Sequence, residues 1–267
     1  MKMGIYHDIA ADSYHAEKAY SASALKQFVR SPAHFQAWLS APSAQTPAMR
    51  LGTLTHLAVL QPDLFASSTV VAPIVDRRTK EGKSIWEQFV GQNVGQNIIT
   101  SDEREQLASM RAAVAAHPAA AQLLDEGAPE VSVFAPCPET GLPLKARLDW
   151  MRRAGIVDLK TTEDASPAAF AKSCSTYRYD LQAAHYRRML KLHGEGELPF
   201  YLIAVEKEPP FATAVYRLDE GDLTLADIQL MQLLRSIQSC TEFDTWPAFS
   251  RDIETLTLPK WHNLKTA

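Results

Sequence analysis

The sequence predicts an α/β fold with a mixed central β-sheet flanked by helices, and three features of its patterning carry that prediction. Residues 1–125 read as mainly helical, residues 126–240 hold short β-branched or alternating runs with hairpin punctuation, and helical periodicity returns between those runs. Residues 241–267 follow as a tail. With no internal repeat and no low-complexity linker, the 267 residues read as one domain.

Taken in order, YSASALKQFVRSPAHFQAWLS (Tyr20 to Ser40) predicts two short helices. Ser21 or Ser23 suits the first N-cap, Pro32 the first turn of the second, and Leu25, Phe28, Phe35 and Trp38 form the buried stripe. The loop APSAQTPAM leads into a helix over roughly Arg50 to Gln61, which stops near Pro62 and carries His56 in its middle. DRRTKEGK (76–83) has no apolar periodicity and predicts an exposed basic loop, with a helix bearing Trp86 and Phe89 after it. An Ala-rich amphipathic helix is expected over about Asp102 to Leu124. VSVFAP, LPLKARLDWM and GIVDLKTT, separated by PETG and RRAG, predict three antiparallel strands. A helix follows over Tyr179 to His193, then strands FYLIAVEK and ATAVYRL joined across Glu208-Pro209-Pro210, then a helix from about Leu223 to Ser239.

Composition excludes several classes. A hydrophobic fraction of 46% and a charged fraction of 22% are ordinary for a globular chain. No apolar run is long enough to span a bilayer and MKMGIYHDIA lacks the apolar core of a secretory signal, so a cytoplasmic protein with no membrane partner is expected. Cys137, Cys174 and Cys240 lie far apart and read as reduced thiols, not a disulfide framework or a CxxC metal site. A net charge of −4 provides no global footprint for nucleic acid, which leaves room for a local basic channel beside an acidic metal site.

The chemistry concentrates in Lys145-Ala-Arg147-Leu-Asp149 and Asp158-Leu159-Lys160. Alternation puts Asp158 and Lys160 on one face of a strand. A two-residue turn at Arg153-Ala154 would set Asp149 directly across from Asp158, whereas a three-residue turn with a bulge at Gly155 shifts the register by one and still leaves both carboxylates in reach of a common ion. Facing carboxylates repel, one ammonium offsets only part of their charge, and a hard divalent cation such as Mg2+ or Mn2+ supplies the rest. Exposed strand-end charges bridged by Lys160 are the structural alternative.

These residues resemble the PD-(D/E)xK nuclease signature, and the text around them resembles the exodeoxyribonuclease VIII type of phage and prophage recombination nuclease. The supporting segments are YHAEKAYSASALKQFVRSPAHF, MRLGTLTHLAVLQP, DRRTKEGK, PEVSVF and DLQAAHYRRML, which span Tyr14 to Leu190. Leu148 stands where the signature has proline. The resemblance implies a restriction-endonuclease-like core with Asp149, Asp158 and Lys160 as catalytic residues. It further implies a metal site of His56, Asp149, Asp158, the Leu159 carbonyl and Glu130, where Glu130 lies just before the first strand. Gln182 and Tyr186, at i and i+4 on one helix face, would face the site or substrate, and Arg77, Arg78, Lys80 and Lys83 would contact phosphates, with Trp86 stacking on a base or packing.

The function expected from the resemblance is Mg2+- or Mn2+-dependent hydrolysis of linear double-stranded DNA from its ends, 5′-to-3′. A ring-like homo-oligomer and a single-strand annealing partner come with it. An endonuclease or single-strand nuclease on the same fold, or a non-catalytic DNA-binding protein, are the alternatives.

Overall fold

The structure, a computed structural model, describes residues 2–41 and 45–258. Strand β1 (Gly4–Tyr6) and helix α1 (Ala11–Ala16) precede α2 (Ala22–Arg30) and α3 (Pro32–Ser40). The Ser21 and Ser31 side chains accept from the amides of Ala24 and His34, capping α2 and α3, and Pro32 occupies a first-turn position where its missing N–H has no partner to lose. Leu25, Phe28 and Phe35 are buried, and Trp38 packs against them.

Next come α4 (Pro47–Leu60), α5 (Pro62–Ser68), β2 (Thr69–Val71), α6 (Lys80–Gln92), β3 (Asn97–Ile99), α7 (Ser101–Ala116) and α8 (Pro118–Asp125). β2 and β3 pair in parallel as a separate two-stranded sheet. Two expectations need correction here. The helix expected over 102–124 is two helices, because Pro118 cannot donate within a helix and biases His117 to an extended backbone, and His117 then caps α8. The loop expected over 76–83 ends at Thr79, whose side chain caps α6, so Lys80 and Lys83 lie on the first turn of a helix. Gly82 permits this turn: a Cβ there would lie 2.0 Å from the Asp76 carbonyl oxygen.

The meander consists of β4 (Ala128–Pro136), β5 (Pro143–Arg152) and β6 (Gly155–Thr162); α9 (Pro167–Tyr177), α10 (Tyr179–Lys191), β7 (Phe200–Glu206), β8 (Thr213–Arg217) and α11 (Glu220–Glu242) complete the chain's elements. The six-stranded sheet has the order β1-β4-β5-β6-β7-β8 and is antiparallel except between β6 and β7. A parallel pair needs a crossover, which α9 and α10 supply. α9 was not expected from the sequence; Arg178, left-handed at φ 52°, separates it from α10.

Helices cover both faces of the sheet. On one side α2, α3, α10 and α11 pack Leu25, Phe35, Leu181 and Leu234 against Val131, Leu148, Ile156 and Leu202. On the other, Leu60, Met110 and Val114 from α4 and α7 meet Val157, Leu159, Ile203 and Val205. With a strand buried on both sides, Asp158 is 0% exposed, which rules out the reading of exposed strand-end charges. After α11, Trp246 stacks on Phe35 with centroids 5.9 Å apart and the Pro247 carbonyl accepts from the Ala33 amide, so this part of the tail packs on the domain. Trp261 and residues 42–44 of the loop before α4 lie outside the described residues. Among the described residues, no helix is long and apolar enough to cross a membrane.

Candidate active site

The β5–β6 hairpin turns on two residues, Arg153 and Ala154, and pairs Arg152 with Gly155, Met151 with Ile156 and Trp150 with Val157. Asp149 and Asp158 would be the next rung, and that rung is not formed. In its place the Asp149 carboxylate (Oδ2) accepts from the Leu159 amide at 2.9 Å. The expectation of a directly opposed pair is thus corrected by one detail: a side chain has replaced the backbone as the partner of β6.

The same discontinuity appears on the other edge of β5. Pairing steps from Pro129–Trp150 to Val131–Leu148, and the intervening Glu130–Asp149 rung drops out. Glu130 is inside β4, not before the first strand as expected, and its φ of 55° is a left-handed conformation that costs a non-glycine residue about 1–3 kcal/mol. Side-chain alternation inverts across this rung: Ala128 and Met151 pack against the same cluster as Val131 and Leu148, three residues away. Arg147 holds the displaced residue, donating from Nε to Glu130 Oε2 at 2.5 Å and from its Nη1 to the Ile9 carbonyl and Ser132 hydroxyl.

Helix α4 delivers His56 to this gap. Its Nδ1 lies 3.5 Å from Asp149 Oδ2 and its Nε2 2.7 Å from the Leu159 carbonyl oxygen. One ligand atom from each of His56, Glu130 and Asp149 falls within 4.8 Å of the others. The Leu159 peptide therefore joins the cluster through both ends, its N–H to Asp149 and its C=O to His56.

Asp158 and Lys160 lie beside this cluster. Asp158 Oδ1 accepts from the Gln182 amide at 2.6 Å, and its other oxygen meets the Lys160 ammonium without a further hydrogen bond. The Gln182 amide nitrogen also reaches the Tyr186 hydroxyl at 3.3 Å, so Gln182 of the i, i+4 pair on α10 meets the Asp158 carboxylate and Tyr186 meets Gln182, both from buried positions. Burial, followed by the charge of Asp158, pushes the Asp149 carboxyl up to about 7. Burial alone would lower the Lys160 ammonium, but Asp158 and Asp149 outweigh it and hold it above its ordinary value. Burial pushes the Tyr186 hydroxyl well up, leaving it neutral where it accepts from the Gln182 amide.

Several contributors carried no sequence signal. Lys26 from α2 donates to the Gln182 carbonyl oxygen at 2.8 Å, and burial together with nearby Lys160 depresses its ammonium to about 7. Lys26 and Lys160 lie 5.2 and 4.9 Å from the centroid of the Tyr179 ring. Burial pushes that tyrosine up to about 12. A lone lysine on an amphipathic helix or an arginine in a strand has no distinguishing spacing, and only tertiary packing gives Lys26 and Arg147 their places.

The basic segment stands apart. Arg77 lies 4.5 Å over the Trp86 ring, Arg78 is taken by the Asp76 carboxylate at 2.9 and 3.0 Å, and Lys80 and Lys83 are exposed. Among the described residues, no hydrogen bond or ion pair joins these four to Glu130, Asp149 or Asp158.

The donor set of carboxylates, one imidazole and one backbone carbonyl, with no thiolate in the cluster, fits a hard divalent cation such as Mg2+ or Mn2+. The rise of Asp149, set first by burial and then by the neighbouring Asp158 charge, suits a cation that would offset both carboxylates.

Comparison with known proteins bears on the fold. No curated protein matches the chain. The structure named "Putative exonuclease" from Eubacterium rectale superposes with a TM-score of 0.61 at 14% identity, covering 97% of this chain and 98% of that one. That likeness establishes the fold alone. A second structure, SSO0001, reaches a TM-score of 0.28 at 14% identity over 68% of this chain and 86% of that one, too little to carry an argument. A family model described as a PDDEXK-like domain of unknown function (DUF3799) matches residues 21–259. Because that match runs from the capping serine of α2 to beyond the last helix, the fold is the PDDEXK-like nuclease fold and the chain belongs to the DUF3799 family.

Proposed function

We propose that the protein is a Mg2+- or Mn2+-dependent exodeoxyribonuclease of the exodeoxyribonuclease VIII type. It degrades linear double-stranded DNA from its ends, 5′-to-3′, in phage-type recombination in the cytoplasm, as a ring-like homo-oligomer working with a single-strand annealing protein. The observation that carries the reading is the convergence of His56, Glu130 and Asp149 within 4.8 Å on a Leu159 peptide whose two neighbours are Asp158 and Lys160. The name borne by the Eubacterium rectale structure supports the exonuclease part.

In this reading His56, Glu130, Asp149, Asp158 and the Leu159 carbonyl hold the metal. A divalent ion there supplies a Lewis acid for phosphoryl transfer. Gln182 fixes one oxygen of Asp158 and Lys160 engages the other, so the carboxylate has a single orientation. The Lys160 ammonium, kept charged by both aspartates, presents positive charge where the phosphate gains negative charge in the transition state. Water adds to phosphorus, the P–O3′ bond breaks, and a 5′-phosphate and a 3′-hydroxyl remain. Arg77, Arg78, Lys80 and Lys83 serve the DNA backbone outside the centre, Gln182 serves the substrate through the Asp158 carboxylate it touches, and Tyr186 does so through Gln182.

The test is digestion of end-labelled linear duplex against covalently closed circles, with Mg2+ or Mn2+ and with EDTA. Linear DNA should be consumed from its 5′ ends, circles should survive, and EDTA, Asp158→Ala or Lys160→Ala should each lower the rate at least ~100-fold while the fold persists, in line with the ~100–1000-fold lost with one electrostatic donor. Cleavage of circles would make it an endonuclease. Activity that survives both substitutions would remove the metal-site assignment.

A further inference from the structure

The nuclease reading accounts for Lys160 but leaves a second ammonium beside it without a role. Lys26 projects from α2, an element that contributes nothing else to the centre, and converges with Lys160 on the ring of Tyr179. The two cations are compensated very differently. Lys160 has the Asp158 carboxylate as its partner, whereas no carboxylate among the described residues lies within 4.0 Å of the Lys26 ammonium, whose one hydrogen-bond acceptor is the neutral amide oxygen of Gln182. An enclosed cation without a counter-ion is unfavourable until an anion reaches it. Asp158 and Asp180 favour the Lys26 charge from a distance, but neither makes an ion pair with it, and the Asp158 oxygens face Gln182 and Lys160.

The position of Lys26 narrows the anion's identity. The Gln182 amide touches Lys26 with its oxygen and Asp158 with its nitrogen, so Lys26 stands one side chain away from the hydrolytic carboxylate. It is not sealed off: the residue is partly exposed, and Tyr179 is stacked at 5.9 Å on Tyr177, which is 59% exposed. Solvent, aromatic wall, cation and carboxylate therefore follow one another inward. Resting on the nuclease reading, we propose that Lys26 is a phosphate-binding residue of the site, engaging a non-bridging oxygen of the backbone phosphate next to the one being hydrolysed.

The experiment measures binding of fluorescein-labelled linear duplex by anisotropy across a KCl series, with Ca2+ replacing Mg2+ to suppress cleavage. Wild type, Lys26→Met and Lys26→Arg are compared. Loss of one phosphate contact lowers the slope of log K against log[KCl] by about 0.7–0.9. Lys26→Met should show that decrease with roughly tenfold weaker binding near 0.15 M KCl, and Lys26→Arg should restore both. A second arm uses wild-type protein only, so it does not depend on how the variants fold: a duplex with neutral methylphosphonates in the penultimate linkages should reproduce the Lys26→Met loss. An unchanged slope with reduced turnover would mean that Lys26 only orients Gln182, and the proposal falls. Wild-type protein that binds and cuts DNA while neutral linkages have no effect also removes it and leaves the nuclease reading intact. No DNA binding by wild type removes both.

Discussion

Asp149 is at odds with its surroundings, enclosed beside a second carboxylate and raised to about 7 mainly by burial. Its folded pKa lies above its unfolded one, so the native state keeps a proton that the unfolded chain releases. The stability this provides is present below about pH 4 and is lost as pH rises through 7. In EDTA, thermal melts should show the stability advantage of Asp149→Asn over wild type widening across that window. Asp149→Asn should lack this limb and be more stable than wild type at pH 7.5 by about 3 kcal/mol, while hydrolysing nothing. A difference between Asp149→Asn and wild type that stays constant from pH 4 to 7 would contradict this. At this scale the sequence showed Asp149, Asp158 and Lys160 plainly, because hairpin arithmetic and period-2 alternation fix where such residues fall. It did not show that Glu130 leaves its ladder, since a left-handed glutamate is imposed by the Arg147 contacts and has no signature in the text.

Among the elements, α10 combines two tasks. Gln182 and Tyr186 face the site, and between them His185 is fully buried with its Nε2 2.9 Å from the Lys145 carbonyl oxygen of β5. Burial depresses this histidine to about 4, only partly opposed by that carbonyl. The sign is opposite to that of Asp149: the unfolded chain takes up a proton that the native state refuses, so stability is present above about pH 6.5 and lost as pH falls toward 4, by about 3 kcal/mol in all. Chemical denaturation in the Asp149→Asn background, where the opposing limb is absent, should expose this acid-side loss, and His185→Gln should flatten it. A slope that persists without His185 would assign the effect elsewhere. The strands and the helices bearing His56 and Gln182 were legible because their periodicity is sustained. α9 was missed because SPAAFAKSC has weak periodicity, and the break at Pro118 because Ala-rich text on both sides masks a proline that is ordinary at a helix start.

For the whole molecule, the order of elements was enough to foresee a mixed sheet between helical layers, and α9 and α10 supply the crossover that makes β6 and β7 parallel. The sequence left one thing hidden at this scale, which is that the sheet changes phase halfway along. Removing Glu130 and Asp149 from the text would leave β4 and β5 with unbroken alternation and an unchanged pairing register, since both residues belong to the rung that is skipped. The centre thus amounts to a matched pair of insertions in an otherwise regular hairpin. Excising either one alone should turn half a strand inside out and unfold the chain, whereas excising both should yield a soluble, cooperatively melting protein with no capacity for hydrolysis. Circular dichroism of the three deletion variants would separate these outcomes, and a lineage that lost the pair together would keep its architecture after its chemistry had gone.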